Sequence, residues 1–462
     1  MSSLESLALG VLLPSFPGTT VPPAVVGLLE EGLGGLCLFA SNTADGPEAV
    51  AACTATVRAA SPYAVVAVDE EGGDVTRLHG PCGSPVLGPL ALGAADDLEL
   101  TRAVSRAIGL ELAGLGVTLD LGPVADVNSN PDNPVIGTRS FGPVATDVAA
   151  HVAAWTAGLQ SAGVAACAKH FPGHGDTGVD SHLALPVLDL DLDSLSVREL
   201  VPFAAAVDAG VAAVMTSHVV VPALDALPAT LSAPVLGLLR DRLGFTGVIV
   251  SDALDMAGAS AGRGIPEAAV LSIAAGADLL CIGADNSVEQ VRELQAALVD
   301  AVRSGRLAEE RLAEAVAAVR RIAGALSSGP ELDPARLAAA AARSVTTSAP
   351  LPSLAGACVV RVDSPGTIAI GGSPWGLPAD VVVTPGSTAL PDGPLVLQVR
   401  DAHRQPDVLA TLAAAADHDA VVVEWGWPAR RSDAMPTVDA RGWSQPGAVA
   451  VVEVLRQAGW DR

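Results

Sequence analysis

Basic and aromatic side chains are both scarce in this chain of 462 residues. Lys and Arg together number 26 against 51 Asp and Glu, which gives a formal net charge of −25 at pH 7. A nucleic-acid partner requires a basic face, and a chain so rich in carboxylates cannot readily supply one. Aromatic residues make up only 3% of the chain, so a binding surface built from many stacked rings is not expected either.

Paired cysteines and long apolar runs are also missing. The six cysteines include no CxxC pair and lie in apolar surroundings such as Leu36-Cys37-Leu38, which predicts buried thiols rather than a disulfide or zinc framework. The longest apolar runs have the length of strands, so no membrane span is predicted. The first residues carry Glu5 instead of a basic segment ahead of their apolar run, which predicts a first strand and a cytoplasmic protein rather than a signal peptide.

Apolar sequence is abundant and alternates between short and long segments. Half of the residues are hydrophobic, enough for a large buried core. Continuous apolar runs predict strands at 7–13, 35–39, 64–68, 117–121, 165–169, 212–216, 247–251 and 278–282, with helical patterns between most of them. Such unbroken runs are typical of parallel strands covered on both faces. Eight strand–helix units predict a (β/α)8 TIM-like barrel.

A smaller α/β domain is predicted after the barrel. The barrel is assigned to residues 1–326, a linker with a short helix to 327–353, and the second domain to 354–462. Its predicted strands lie at 357–362, 367–370, 381–384, 395–399 and 419–424, with helices at 408–416 and 448–458. Five of the six tryptophans but no phenylalanine occur beyond residue 370, so the composition changes along with the predicted domain.

Lysine occurs once, at Lys169, beside 25 arginines. A compact ammonium in a chain that otherwise uses Arg indicates a site that requires that shape. Lys169 opens the string KHFPGHGDTGVDSH (169–182), which holds three of the eight histidines and follows a predicted barrel strand. In barrels of this type, catalytic groups emerge at the carboxyl ends of the strands. The sequence therefore predicts a functional site here.

Three interpretations of the histidine cluster are open. Zinc binding is disfavoured because the intervening glycines and proline leave no i,i+4 helical face. A structural role in the loop is the second interpretation. In the third, which we favour, Asp180 holds His182, fixes its tautomer and raises its pKa, so that His182 donates and then recovers a proton.

Polar residues follow other predicted strands as well. They lie in VDEEGGDVTRL (68–78), NPVIGTRSFG (133–142), VMTSHV (214–219) and SDALDM (251–256). Each is weak evidence alone: Asp252 suits a nucleophile, a ligand, a substrate-binding residue or a helix cap, and Arg139 or Asp69 suits a buried ion pair. Because the carboxyl ends of barrel strands share one rim, these residues together predict one common site.

These motifs resemble family 3 of the glycoside hydrolases, and within it the β-N-acetylglucosaminidases. The resemblance covers nearly the whole barrel region, and KHFPGHGDTGVDSH is its most specific string. It implies that Asp252 is the nucleophile of a covalent glycosyl-enzyme intermediate and that His182, held by Asp180, is the general acid/base. It further implies that the hydroxyls of the terminal sugar are bound by Asp69, Arg77, Arg139, Lys169 and His170. The second domain is similar to the αβα sandwich of two-domain members.

The implied activity is that of a retaining exo-β-N-acetylglucosaminidase that acts on muropeptides or amino-sugar oligosaccharides in cell-wall recycling. No metal or other cofactor is implied, and the expected partner is a small carbohydrate, not a nucleic acid or a membrane. A β-glucosidase or a phosphorylase on the same site remains an alternative, as does a non-catalytic sugar-binding protein. A Schiff-base aldolase that uses Lys169 is disfavoured because no apolar pocket is predicted around it.

Two details lie outside this pattern. Asp74 stands where many relatives have Arg, which leaves Arg77 as the predicted sugar contact in that segment. In the second domain, Asp401 and His403 are expected to be solvated surface residues rather than neighbours of the barrel rim.

Overall fold

The computed structural model describes residues 3–180, 185–260, 262–322, 327–364, 366–367, 369–371, 375–429 and 435–462. Its larger sheet contains eight parallel strands, which are Leu12–Leu13, Gly35–Leu38, Val65–Val68, Leu119–Asp120, Ala165–Phe171, Ala213–Thr216, Val248–Ser251 and Leu279–Cys281, labelled β1 to β8. From β2 to β8 each strand pairs with the next, and β8 pairs with β1. Backbone hydrogen bonds from Gly34 to Leu9 (3.1 Å) and from Cys37 to Pro14 (2.9 Å) connect the β1 and β2 segments. The predicted (β/α)8 barrel is confirmed.

Helices cover the outside of the barrel. They are Leu4–Leu9, Pro23–Glu31, Ala40–Thr43, Pro47–Ala60, Pro89–Ala95, Leu98–Gly114, Ala145–Ser161, Leu192–Val197, Leu200–Asp208, Ala233–Gly237, Ala257–Ser260, Ile265–Ala275, Val288–Arg303 and Glu309–Val319. The side chains of Asp97 and Ser287 cap two of them by accepting backbone N–H bonds, which satisfies donors that a helix start leaves unpaired. Among the described residues, no helix combines the length and apolarity that a membrane crossing requires.

Alternate residues of the barrel strands pack into two different cores. Val65, Ala67, Val248 and Val250 lie in a cluster inside the barrel. The residues between them, such as Val66 and Ile249, belong to the larger cluster that includes the surrounding helices. Side chains of a strand point alternately to its two faces, and here both faces are apolar. This arrangement explains the unbroken apolar runs of the sequence.

A separate six-stranded sheet confirms the smaller α/β domain. Its strands are Thr346–Thr347, Cys358–Val362, Val381–Val383, Leu395–Val399, Ala420–Glu424 and Thr437–Asp439, labelled β9 to β14, in the order β9-β14-β13-β12-β10-β11. Only the β9–β14 pair is antiparallel. Helices Pro334–Ser344, Pro406–Ala414 and Gln445–Gln457 accompany the sheet. The segment predicted as a linker contains the first of these helices and β9.

Two predicted strands differ in the structure. Within 7–13, residues up to Leu9 belong to the helix Leu4–Leu9, which begins where the Ser3 side chain accepts the N–H of Ser6, and only Leu12–Leu13 is a strand. Short apolar runs do not distinguish a buried helix from a buried strand. Within 367–370, the described residues form a turn in which Ile370 N–H donates to the Thr367 carbonyl at 3.1 Å.

Candidate active site

A cavity of about 320 Å³ lies at the carboxyl ends of the barrel strands. Six of the predicted site residues line it: Asp69, Arg77, Arg139, Lys169, His170 and Asp252. The structure therefore brings the predicted nucleophile and the predicted sugar-binding residues to one place. Asp180 is described and half-buried, whereas His182 lies outside the described residues. The pairing of Asp180 with His182 stays a prediction.

Opposite charges alternate along one wall of the cavity. The Lys169 Nζ lies 2.6 Å from Asp69 Oδ1 and 2.7 Å from Glu71 Oε1. Arg139 binds Glu71 through two bonds, Nε to Oε2 at 2.9 Å and Nη2 to Oε1 at 2.7 Å. Such a two-point contact fixes the plane of both groups. Glu71 was not among the predicted site residues, although the motif string at 68–78 contains it.

The ion pairs of this wall keep its groups charged. Burial alone would lower the pKa of Lys169, but the carboxylates of Asp69 and Glu71 raise that pKa above its usual value. Burial alone would raise the pKa of each carboxyl, but Lys169 and Arg77 lower that of Asp69, and Arg139 and Lys169 lower that of Glu71. At neutral pH the wall therefore carries fixed positive and negative charges, which suit hydroxyl groups as hydrogen-bond partners.

A β-hairpin after β3 carries Glu71 and leads to Arg77. Its strands are Glu70–Gly72 and Val75–Thr76, and Gly73 in the turn has φ of +59°, where a Cβ would meet the Gly88 backbone at 2.5 Å. The Glu70 carboxylate accepts the backbone N–H of Arg77 at 2.9 Å. The Arg77 guanidinium lies 3.6 Å from the Asp69 carboxylate. The hairpin thus positions two of the cavity's charged residues.

Asp126 holds two members of the histidine cluster. His170 Nδ1 donates to Asp126 Oδ2 at 2.7 Å, and the backbone N–H of His174 donates to Oδ1 at 2.7 Å. His174 also lines the cavity, and burial lowers the pKa of His174 to about 4, so its ring is neutral at pH 7. Neither Asp126 nor His174 was predicted for the site, whereas His170 was. The position of Asp126 after β4 was a usable signal, since other site residues also follow strands. Among the described residues, no group of three or more His, Cys, Asp or Glu is arranged to hold a metal ion.

Asp252 follows β7 and faces the cavity half-buried. Its Oδ1 accepts the backbone N–H of Ala253 at 2.8 Å. The buried His218 holds the next peptide group, because its Nε2 donates to the Ala253 carbonyl at 2.9 Å. Asp255 and Met256 from the same motif also line the cavity. The segment after β7 therefore presents a carboxylate on a braced backbone.

The second domain borders the cavity. Ala369 is one of the lining residues, and its carbonyl accepts a bond from Arg77 Nη2 at 3.1 Å. The expectation that His403 only meets solvent is wrong, since its Nε2 donates to the Pro131 carbonyl of the barrel at 2.9 Å. Asp401 accepts the N–H of Trp427 at 2.8 Å within its own domain. Asp74 of the hairpin is buried and paired with Arg400 at 2.8 Å.

The sequence matches a known family over most of the barrel. The model described as the glycosyl hydrolase family 3 N-terminal domain matches residues 24–322. The chain belongs to glycosyl hydrolase family 3.

This family 3 chain also matches curated proteins and solved structures. It is 35% identical over 332 residues to a protein named beta-hexosaminidase A from Pseudoalteromonas piscicida; the match spans 66% of this chain and 55% of that protein. It is 38% identical over 303 residues to a beta-hexosaminidase from Chromobacterium violaceum, which covers 63% of this chain and 83% of that protein. A solved family 3 beta-N-acetylglucosaminidase from Paenibacillus sp. superposes with a TM-score of 0.85 at 32% identity, covering 100% of this chain and 97% of that one.

Proposed function

We propose that this protein is a retaining exo-β-N-acetylglucosaminidase that releases terminal GlcNAc from β-glycosides, with muropeptides or amino-sugar oligosaccharides as substrates. The observation that carries the proposal is the cavity at the barrel rim, where Asp252 faces five polar residues that suit sugar hydroxyls. The names of the relatives support the acetamido sugar. The cytoplasmic location and the role in cell-wall recycling remain predictions.

The size and charge of the cavity support the binding of one terminal sugar. Its volume of about 320 Å³ lies at the lower end of the range for small-molecule sites, roughly 300–1,000 Å³. A site of this size holds one ring with its glycosidic oxygen at the mouth, which is what exo-cleavage requires. The Asp69 and Glu71 carboxylates accept bonds from hydroxyl groups, and the Arg77 guanidinium and the Lys169 ammonium donate bonds to them.

The proposed reaction has two displacement steps. In the first, an Asp252 oxygen bonds to the anomeric carbon while the bond to the leaving oxygen breaks, and that oxygen takes a proton from His182. In the second, His182 takes a proton from water, whose oxygen bonds to the anomeric carbon and releases the Asp252 carboxylate. Two inversions retain the configuration. An imidazole suits this exchange because its unperturbed pKa of about 6.5 lies near neutral pH, and the charge of Asp180 is expected to raise it.

A panel of 4-nitrophenyl β-glycosides of GlcNAc, glucose and xylose, assayed with and without phosphate, tests the proposal. We expect 4-nitrophenol from the GlcNAc glycoside, with free β-GlcNAc as the first sugar detected by NMR. Faster release of 4-nitrophenol from the glucoside would show a preference for glucose over GlcNAc. Formation of a sugar 1-phosphate would identify the protein as a phosphorylase. Binding of GlcNAc without release would identify a sugar-binding protein. Activity should be unchanged after treatment with a chelator. A loss of activity that added metal reverses would contradict the metal-free proposal.

A further inference from the structure

We propose that Arg400 of the second domain is a positioning residue for the sugar site, acting through Asp74 on the hairpin that carries Glu71 and leads to Arg77. The inference deepens the proposed function and rests on it for the identity of the bound sugar. It assigns the second domain a part in substrate binding that does not require any of its side chains to touch the reacting atoms.

Asp74 joins three parts of the molecule. Its Oδ1 accepts a bond from Arg400 Nη2 at 2.8 Å and from the backbone N–H of Trp443 at 3.0 Å, both in the second domain. Its Oδ2 accepts a bond from Thr138 Oγ1 at 2.8 Å. The side chains of Asp74 and Arg400 are 4% and 3% exposed, so water does not compete for these contacts.

Each part that Asp74 joins leads directly to a site residue. On its own hairpin, Glu71 binds Lys169 and Arg139. Thr138 belongs to the helical turn Gly137–Arg139, so the Asp74 contact lies one residue from the cavity-lining Arg139. The carboxylate of Asp74 therefore fixes the distance between the hairpin and the turn, and Arg400 holds that carboxylate from the second domain.

Arg400 also supports the segment of the second domain that reaches the cavity. Its guanidinium lies 5.0 Å from the centre of the Trp375 ring, and a Cβ on Gly366 would lie 3.0 Å from its Nη1. Ala369, three residues after Gly366, accepts the Arg77 bond at 3.1 Å. Arg77 is thus held from both sides, by the hairpin that Asp74 anchors and by the segment that packs near Arg400.

The location of Arg400 in its sheet supports the same conclusion. Arg400 follows β12, and the neighbouring β10 is the strand at which the chain order reverses, since β11 and β12 lie on opposite sides of β10. In open α/β sheets, ligands bind outside the carboxyl ends of the strands at such a point. In this protein, the barrel residue Asp74 binds Arg400 there. At the position where related sheets bind a ligand, the second domain therefore makes a contact with the barrel.

The experiment compares variants by kinetics and by hydrogen exchange. Arg400→Met removes the charge and keeps much of the apolar stem, and Arg400→Lys restores a cation that can reach one carboxylate oxygen. The double variant Asp74→Asn/Arg400→Met removes both charges. Gln445→Ala is the matched control, because Gln445 donates from the second domain to the barrel carbonyls of Cys82 and Gly83, away from the cavity.

For Arg400→Met we expect KM and the inhibition constant of GlcNAc to rise about tenfold, with kcat changed less than threefold and faster amide exchange in residues 70–78. A buried carboxylate that loses its partner is costly, so the double variant should be affected less, and Arg400→Lys should recover part of the affinity. Gln445→Ala should change neither readout. If Arg400→Met does not fold, the double variant and Arg400→Lys decide by the same two readouts.

Unchanged KM together with unchanged exchange in the Arg400 variants would overturn the inference, and so would equal effects in Gln445→Ala or a loss of kcat at constant KM. If the wild-type protein hydrolyses no aryl hexosaminide, the proposed function fails by itself. Hydrogen exchange of residues 70–78 then still decides whether Arg400 holds the hairpin.

Discussion

The carboxyl edges of the two sheets both carry charged residues, but these residues have different partners. At the barrel edge, Asp69, Lys169 and Asp252 come from three strands and line one cavity. At the edge of the second sheet, the Glu424 carboxylate accepts the backbone N–H groups of Asp401 and Gly426, both at 2.7 Å. The first set faces a space for a ligand, whereas the Glu424 carboxylate is bound by backbone N–H groups of other residues in its own domain.

Closure of the sheet explains the difference. Strands that form a ring direct their ends toward one axis, so that residues far apart in the chain converge. The ends of strands in an open sheet lie along a line, and in this protein the charged side chains there bind protein groups: Glu424 accepts backbone N–H bonds, and Arg400 binds Asp74 of the barrel. Charged residues after strands therefore line a cavity in the barrel, whereas in the second domain they cap backbone groups and contact the barrel.

Replacement of Asp252 by Ala tests the chemical role of the barrel edge most severely. Without the proposed nucleophile no glycosyl-enzyme forms, so turnover of the 4-nitrophenyl N-acetylglucosaminide should fall by at least about 10,000-fold. The Glu424→Gln variant, changed at the other edge, should keep its turnover within about twofold. Near-wild-type turnover in Asp252→Ala would remove Asp252 from the nucleophile role and with it the functional contrast between the two edges.

His182→Ala tests the proposed acid/base. Because general acid catalysis is worth about 100- to 10,000-fold, cleavage of chitobiose, whose leaving group needs a proton, should fall by that range. Bond cleavage in the 2,4-dinitrophenyl glycoside should fall far less, since its leaving group departs as an anion. Rates measured on both substrates decide the matter: equal losses would show that His182 does not act as the acid.

Lys169→Met tests the charged wall. The substitution leaves the Asp69 and Glu71 carboxylates without the ammonium that lies 2.6 and 2.7 Å from them, and breaking a buried pair in this way costs about 3–5 kcal/mol of folding free energy. Arg292→Met is the matched control, because its ion pair with Glu31 is exposed and worth about 1 kcal/mol or less. Urea unfolding measures the loss of folding free energy in both variants. Similar losses would show that the ion pairs of the cavity wall contribute no more to stability than an exposed pair does.

The sequence predicts those parts of the molecule whose signal is local. Seven of the eight barrel strands are recognisable because both of their faces are apolar, and Lys169 is recognisable because it is unique. Asp69 and Lys169, 100 residues apart, are assigned to one site once the barrel is inferred. The helix Leu4–Leu9 is missed because its apolar run reads equally well as a strand.

The sequence does not predict contacts that depend on the path of a loop or on how the second domain packs against the barrel. Arg400 binds Asp74 across 326 residues, and Arg77 meets Ala369 across 292. No local spacing encodes either pair, because each depends on how a loop returns to the rim or on how the second domain docks. Asp401 and His403 belong to the same class, and for His403 the expectation of a solvated surface was wrong.

Glu424→Gln should affect stability alone, through its pH dependence. Burial, and next the charge of Asp401, raises the pKa of Glu424 to about 7, above the value near 4.5 expected in the unfolded chain. The folded protein therefore binds this proton more tightly, and the stabilisation is present below pH 4.5 and lost as pH rises to 7. Without the ionisable group, Tm should fall less between pH 5 and pH 8 than in the wild type, by a difference equivalent to at most about 3 kcal/mol.

Part of the pH dependence of Tm should persist in Glu424→Gln, because burial also raises the pKa of Glu199 to about 7 in the barrel. Glu453→Gln makes the same change of charge at an exposed position of the second domain, so it should leave the wild-type slope intact. A Glu424→Gln profile that parallels the wild type would show that the second sheet binds this carboxylate in its charged form at little cost, and an increase in KM would show that Glu424 also acts on the sugar site, as proposed for Arg400.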